Sequence, residues 1–362
     1  KIKIIMKVSI LGNGLTSLAL AKLLVNQGLK VDIFSDQKFK KNNKIQTLGI
    51  SRSNVDFFNK NILDINKLLW NISKIEIFKE DINKEKILNF EQNNRPLFSI
   101  VKNFDLYNYL FLDLKKNKLI KFRNKVNYNY LLKNDYKLIF NCDYNHQITK
   151  KFFNKRINKK YNSFAYTTIL SHEKFLNNHS ASQIFTKIGP LAFLPISPTE
   201  TSVVYSIKSK KKIDLETVIK EYNTKYKISK INKVLSFELE SSNLRSYQHE
   251  NIIAFGDLLH KLHPLAGQGF NMTIRDIKKI YELIKFKKDH GLDLDNSICL
   301  DFEKNTKNKN YIFSYGIDLI YELFNFENKI NINTFNKSVK FLGKNKIINN
   351  FFMKFADNGI II

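Results

Sequence analysis

The sequence predicts a mixed α/β fold, and three observations predict it. Val8-Ser-Ile-Leu11 is a short apolar, β-branched run followed at once by Gly12-Asn-Gly14 and an apolar helix. Asn251-Ile-Ile-Ala-Phe255 is a second such run; it ends on Gly256-Asp257, and beyond Pro264 a glycine-punctuated loop leads into another helix. Between them, Phe164–Leu170 and Ser202–Ile207 alternate in the manner of antiparallel strands with one buried face.

The first segment reads as a βαβ unit. Gly12 permits a tight turn and Gly14 lets backbone approach a pyrophosphate, while the helix N-terminus offers unpaired N–H groups and a positive dipole end. The helix, Leu15 to Gln27, is apolar on most of its surface, with only Lys22 and Asn26 as a polar stripe, so it is expected between layers. Gly28 ends it and Val31–Phe34 forms the second strand. Ser17 takes the third-glycine position of the dinucleotide fingerprint. Ser35, with Asp36 one place later, takes the acidic position that binds a ribose hydroxyl.

The second segment supplies the other half. Asp257 ends a strand at the sheet edge where open α/β folds bind ligands, and can accept hydrogen bonds from ribityl or ribose hydroxyls. Gly267 and Gly269 free the backbone to approach a flat ring, with Gln268 and Phe270 in the same loop and Asn271 as a helix N-cap. Ile274, Ile277 and Ile280 then mark the buried face of a helix. A helix N-terminus aimed at a flavin's N1/O2 edge would favour the anionic reduced ring. Together the segments describe one flavin dinucleotide held at both ends.

These residues resemble the aromatic-ring hydroxylases typified by para-hydroxybenzoate hydroxylase, and within them the ubiquinone-biosynthesis hydroxylase group. The group's pattern Gly-Asp-Ala-Ala-His-x-x-x-Pro-x-x-Gly-Gln-Gly-x-Asn is matched by Gly256, Asp257, His260, Pro264, Gly267, Gln268, Gly269 and Asn271, with Asp276 in the helix that follows. Phe185 and Gly189-Pro190-Leu-Ala-Phe-Leu-Pro195 resemble a second run of the quinone-pathway members. The segments around Arg52 and Asn103 fall where that group has related residues. The resemblance implies a Rossmann-like FAD-binding domain (1–74, 98–163 and 250–290), interleaved with an antiparallel-sheet substrate domain (75–97 and 164–249) and followed by a helical C-terminal segment (291–362). It implies FAD as cofactor, NADH or NADPH as electron donor, and hydroxylation of a polyprenylated phenol or quinol. Arg52, Asn103 and Asp143 join the cofactor contacts on the same ground.

Three departures qualify this. The group's Ala-Asp-Gly-x-x-Ser reads Cys142-Asp143-Tyr144-Asn-His146-Gln: Asp143 stays, but Gly becomes Tyr144 and the Ser is lost. The two alanines after Asp257 are Leu258 and Leu259. An arginine expected near the flavin is Gln46. Flavin binding tolerates these changes more readily than reduction by NAD(P)H does, which leaves open a degenerate, flavin-binding accessory protein of a quinone-synthesis complex.

Composition narrows the alternatives. The formal charge is +27, yet only six of the 60 basic residues are Arg, and no helix-turn-helix or zinc pattern appears, so a nucleic-acid partner is not expected. The lysines are spread throughout and would suit an anionic membrane surface. Two cysteines, Cys142 and Cys299, make neither a disulfide framework nor a metal site, and His260 with His263 lacks a third ligand. The apolar start lacks a cleavage site and no eighteen-residue apolar run occurs, so a cytoplasmic protein, peripheral on a membrane at most, is expected.

Overall fold

Three sheets organise the chain in the computed structural model, which describes residues 6–36, 45–80, 86–91, 95–208, 213–262 and 268–327. The chain begins with β1 (Lys7–Leu11), α1 (Leu15–Asn26), β2 (Lys30–Phe34), β3 (Thr47–Ser51), α2 (Arg52–Asn61), β4 (Trp70–Ile72), β5 (Lys74–Lys79) and β6 (Lys86–Glu91). It continues through β7 (Phe98–Lys102), α3 (Asn103–Lys115), β8 (Ile120–Arg123), α4 (Tyr128–Lys133), β9 (Leu138–Asn141), α5 (Gln147–Phe152), β10 (Arg156–His172), β11 (Ser180–Thr186), β12 (Gly189–Pro195) and β13 (Glu200–Ile207). The remainder is α6 (Leu215–Tyr222), β14 (Ile228–Ile231), β15 (Leu235–Leu244), β16 (Gln248–His249), β17 (Ile252–Ala254), β18 (His260–Lys261), α7 (Gln268–Asp289) and α8 (Ser297–Glu327).

The first sheet has the order β16-β17-β9-β1-β2-β8, parallel throughout except for the β16–β17 pair. Its inner strands β1, β2, β9 and β17 are buried along nearly their whole length, as strands covered by helices on both faces are. Helix α1 lies between layers as its composition predicts, with Leu18, Ala19, Leu20, Leu23 and Leu24 fully buried. Its polar stripe is spent on neighbours: Lys22 Nζ meets Asp113 of α3 at 2.6 Å, and Asn26 Nδ2 donates to the carbonyls of Asn61 and Ile62. Gly28, at φ +77°, turns the chain into β2.

The large sheet runs β18-β15-β10-β13-β12-β11-β5-β6, with β14 also paired to β10. Helix α6 covers one face over Leu191, Phe193, Val203 and Tyr205. The small sheet β3-β7-β4 packs on part of the other, where Ile72 and Ile100 meet Ile169, Ala181 and Ile196. Strand β10 extends well upstream of Phe164, and its register with β15 slips between Lys160 and Ser163, where Asn162 sits at φ +51°.

One sequence expectation needs correcting. Asn271 is no N-cap: α7 already runs from Gln268, so Gln268, Gly269 and Phe270 lie in its first turn rather than in a loop. The face marked by Ile274, Ile277 and Ile280 is fully buried as expected. Pro264 and Gly267, like His263 and residues 328–362, lie outside the described residues.

Candidate dinucleotide site

The carboxyl edge of the parallel sheet collects segments from both ends of the chain. Gly12 leaves β1 at φ +99°, its N–H bonded to Phe34 O at 2.8 Å. A Cβ on Gly12 would stand 3.4 Å from Asp143 N, so the turn lies against the end of β9. Gly14 precedes α1 in extended conformation, with no side-chain cap and open space where its Cβ would be. An uncapped N-terminus beside open space is the cradle a pyrophosphate needs.

Gly256 closes the other side. At φ +67° it ends β17, and a Cβ there would stand 2.7 Å from Thr16 Cγ2 in the first turn of α1. The two glycine segments predicted to share a ligand therefore touch. Asp257 next to it reaches solvent, yet the surrounding protein desolvates its carboxyl and raises its pKa, with His260 and Lys261 offsetting part of the effect. Cys142, beside the Gly12 turn, is pushed up to about 12 by burial.

Ser35 continues the edge of β2, its N–H bonded to Arg123 O at 3.1 Å. Lys125 Nζ lies 3.5 Å from Asp36 and 3.6 Å from Asp143, so it joins the carboxylates beyond β2 and β9. Asp143 Oδ1 also accepts from Asn145 N at 2.9 Å. His146 caps α5: its Nδ1 accepts from Ile148 N and its Nε2 donates to Val126 O, while burial lowers its pKa.

The head of α7 is tied to β3. Asn271 Oδ1 accepts from Ser51 N at 2.8 Å and from Asn54 Nδ2 at 2.9 Å, and its Nδ2 donates to Gly49 O at 3.0 Å. Its side chain thus fixes the strand that leads into Arg52. At the opposite end of β3, Asn103 N donates to Gln46 O at 2.9 Å. Deeper still, His260 Nε2 and Asp276 Oδ2 meet at 2.6 Å with both side chains 1% exposed, and Asn310 of α8 donates to the other Asp276 oxygen. His260 therefore joins the Asp257 turn to α7 and α8.

Two buried acceptors, Asn103 Oδ1 and Gln268 Oε1, have no hydrogen-bond partner among the described residues. Each such group costs roughly 1–3 kcal/mol, so both suit a ligand carrying donors. With the open Gly14 cradle and the joined glycine turns, the residues present fit a dinucleotide that ends in a flat polar ring. Among the described residues no group of His, Cys, Asp and Glu could hold a metal.

Sequence reasoning missed Arg156. It donates from Nη1 to Ser242 Oγ at 3.0 Å and from Nη2 to Leu258 O, and its guanidinium lies 4.6 Å from the Tyr144 ring centroid. It links the two segments that depart from the hydroxylase pattern. No local signal marks it, because its three contacts all lie twelve or more residues away in sequence.

No family model matches the chain. It is 24% identical over 274 residues to the ubiquinone biosynthesis monooxygenase COQ6, mitochondrial, of Schizosaccharomyces pombe, covering 62% of this chain and 57% of that protein. It is 27% identical over 156 residues to the 3-demethoxyubiquinol 3-hydroxylase of Escherichia coli, 40% of each chain. The chain is similar in sequence to ubiquinone-biosynthesis monooxygenases. It spans about half the length of the curated relatives it matches. The chain shares its fold with p-nitrophenol 4-monooxygenase PnpA from Pseudomonas putida (TM-score 0.75, 13% identity, 99% of each chain). It is also similar to Klebsiella pneumoniae HpxO, solved with FAD and uric acid (TM-score 0.70, 11% identity, 95% of each chain).

Proposed function

We propose that this chain is an FAD-dependent monooxygenase that hydroxylates the ring of a polyprenylated phenol or quinol in ubiquinone biosynthesis. The observation that carries the reading is the contact of Gly256 with Thr16, which makes one cleft of the two dinucleotide segments. On this reading Gly12, Gly14 and the α1 N-terminus hold the pyrophosphate; Ser17 stands at the third-glycine position, and Ser35, Asp36 and Asp143 surround the adenosine end. Asp257 holds ribityl hydroxyls, and Gln268, Gly269, Phe270, Asn271, Arg52 and Asn103 surround the ring, with Pro264 and Gly267 assigned to the same cofactor contacts. FAD reduced by NADH or NADPH would supply the oxygen-activating chemistry. The chain's own task is to bind, orient and exclude water. The parallel sheet with its helices forms the cofactor domain and the large sheet the substrate wall. Stoichiometric FAD uptake with NAD(P)H oxidation dependent on a prenylated phenol is the expected result; a chain that takes up no FAD would sink the reading.

A second reading is favoured by Tyr144 and Leu258, joined through Arg156: a flavin-binding accessory protein without hydroxylase activity. It expects FAD uptake with no substrate-dependent NAD(P)H oxidation.

Peripheral attachment to an anionic membrane fits the lysine-rich surface, at about 1 kcal/mol per well-placed Lys. Ile312, Tyr315 and Leu319 of α8 are exposed and lie on one side of that helix. Among the described residues no helix is long and apolar enough to cross a membrane. Flotation with anionic but not neutral vesicles tests this attachment.

A further inference from the structure

Beyond the outer edge of β3, the large sheet presents a row of side chains that the small sheet does not bury. Strand register defines it: Thr167, Val204, Ala192, Gln183 and Ile77 sit opposite one another across β10, β13, β12, β11 and β5, and so share one face. Thr167, at the β10 end, is buried, while Val204, Ala192, Gln183 and Ile77 are half-buried. In the adjacent row, Ile169, Ser202 and Ala181 are buried near the small sheet. Helix α6 takes the opposite face, with Phe193 and Tyr205.

The row also has a position relative to the cofactor cleft. Along β13, Glu200 is held by Lys102 of β7 at 2.6 Å, and Ser202 by Thr47 of β3 at 2.9 Å. The strand therefore crosses the small sheet from β7 to β3. Val204, two residues on, lies past β3, on the side where Asn271 at the head of α7 bonds the outer edge of that strand.

Within this row Gln183 alone carries a long polar side chain. Its half-buried amide makes no hydrogen bond to another described residue and stands in register with Ala192 and Ile77. An amide can both donate to and accept from a phenol. Resting on the hydroxylase reading, we infer that Gln183 is a specificity-determining residue that hydrogen-bonds the ring oxygen of the phenolic substrate, while Ile77, Ala192 and Val204 contact the ring and the start of its prenyl tail. A site built around such a bond rejects analogues that lack the oxygen.

The test uses the full chain reconstituted with FAD and two probes, 2-farnesylphenol and farnesylbenzene, with binding followed by flavin fluorescence. Wild type should prefer the phenol. Gln183→Leu should weaken phenol binding by about tenfold and leave farnesylbenzene unchanged; Gln183→Met, unbranched and close in volume, should behave alike and guards against misfolding of the first variant. Equal effects on both probes, or none on either, would overturn the assignment of Gln183 while leaving the hydroxylase reading intact. A wild-type chain that binds no FAD, or FAD but neither probe, would overturn that reading and this inference with it.

Discussion

Gly256 packs onto Thr16 so closely that a methyl group at the glycine would stand 2.7 Å from Thr16 Cγ2. Its φ of +67° adds the left-handed penalty that L side chains meet. Gly256→Ala should therefore lower stability by about 1–3 kcal/mol and weaken FAD binding, read by urea denaturation and by fluorescence titration. Adding Thr16→Ser should recover only the steric part. Wild-type stability and FAD affinity in Gly256→Ala would contradict the contact.

The buried His260–Asp276 pair makes a larger demand. Removing one partner leaves the other uncompensated in the interior, at about 3–5 kcal/mol. His260→Ala and Asp276→Ala should each unfold at markedly lower denaturant, and the double variant should cost less than the sum of the two. Additive losses would show that the two side chains do not act as a pair.

Asp257 carries a pH signature. Its folded pKa lies above the unfolded value, so between the two the folded state holds more protons and stability falls as pH rises. The penalty is absent below the ordinary carboxylate range and complete once pH passes the folded pKa. Asp257→Asn should thus stabilise the FAD-free chain at neutral pH, with the gain vanishing in acid, while FAD binding weakens. Thermal scans across pH measure the difference; a gain that grows in acid would reverse the sign.

The stacking of Arg156 on Tyr144 bears on which reading of the chain holds. Tyr144→Gly removes a cation–π contact worth roughly 0.5–1 kcal/mol and restores the glycine of the hydroxylase pattern. If Tyr144 obstructs the electron donor, NAD(P)H oxidation by the FAD-loaded variant should exceed that of wild type. Unchanged oxidation would show that Tyr144 is compatible with reduction.

The parallel half of the fold was legible because its signals are local. Apolar runs ending in Gly12-x-Gly14 and Gly256-Asp257 announce strands and their ligand-side turns, and a helix apolar nearly all round, such as α1, has to lie between layers. The large sheet was legible only in part. Periodicity found alternating strands around 164–170 and 202–207, but β10 begins well upstream, where charged Lys159 and Lys160 hide the pattern. The start of α7 was misplaced because Asn271 is a good cap by type, while its actual partners, Gly49, Ser51 and Asn54, lie far away in sequence. Arg156 and Lys125 stayed invisible for the same reason: pairing across distant segments leaves no trace in spacing.

The most direct measurement is the visible absorption spectrum of the purified chain after reconstitution with FAD and removal of free cofactor. Flavin bands at one equivalent per chain, lost in Gly256→Ala, are the expected result. A colourless protein whose FAD washes away completely would contradict the account.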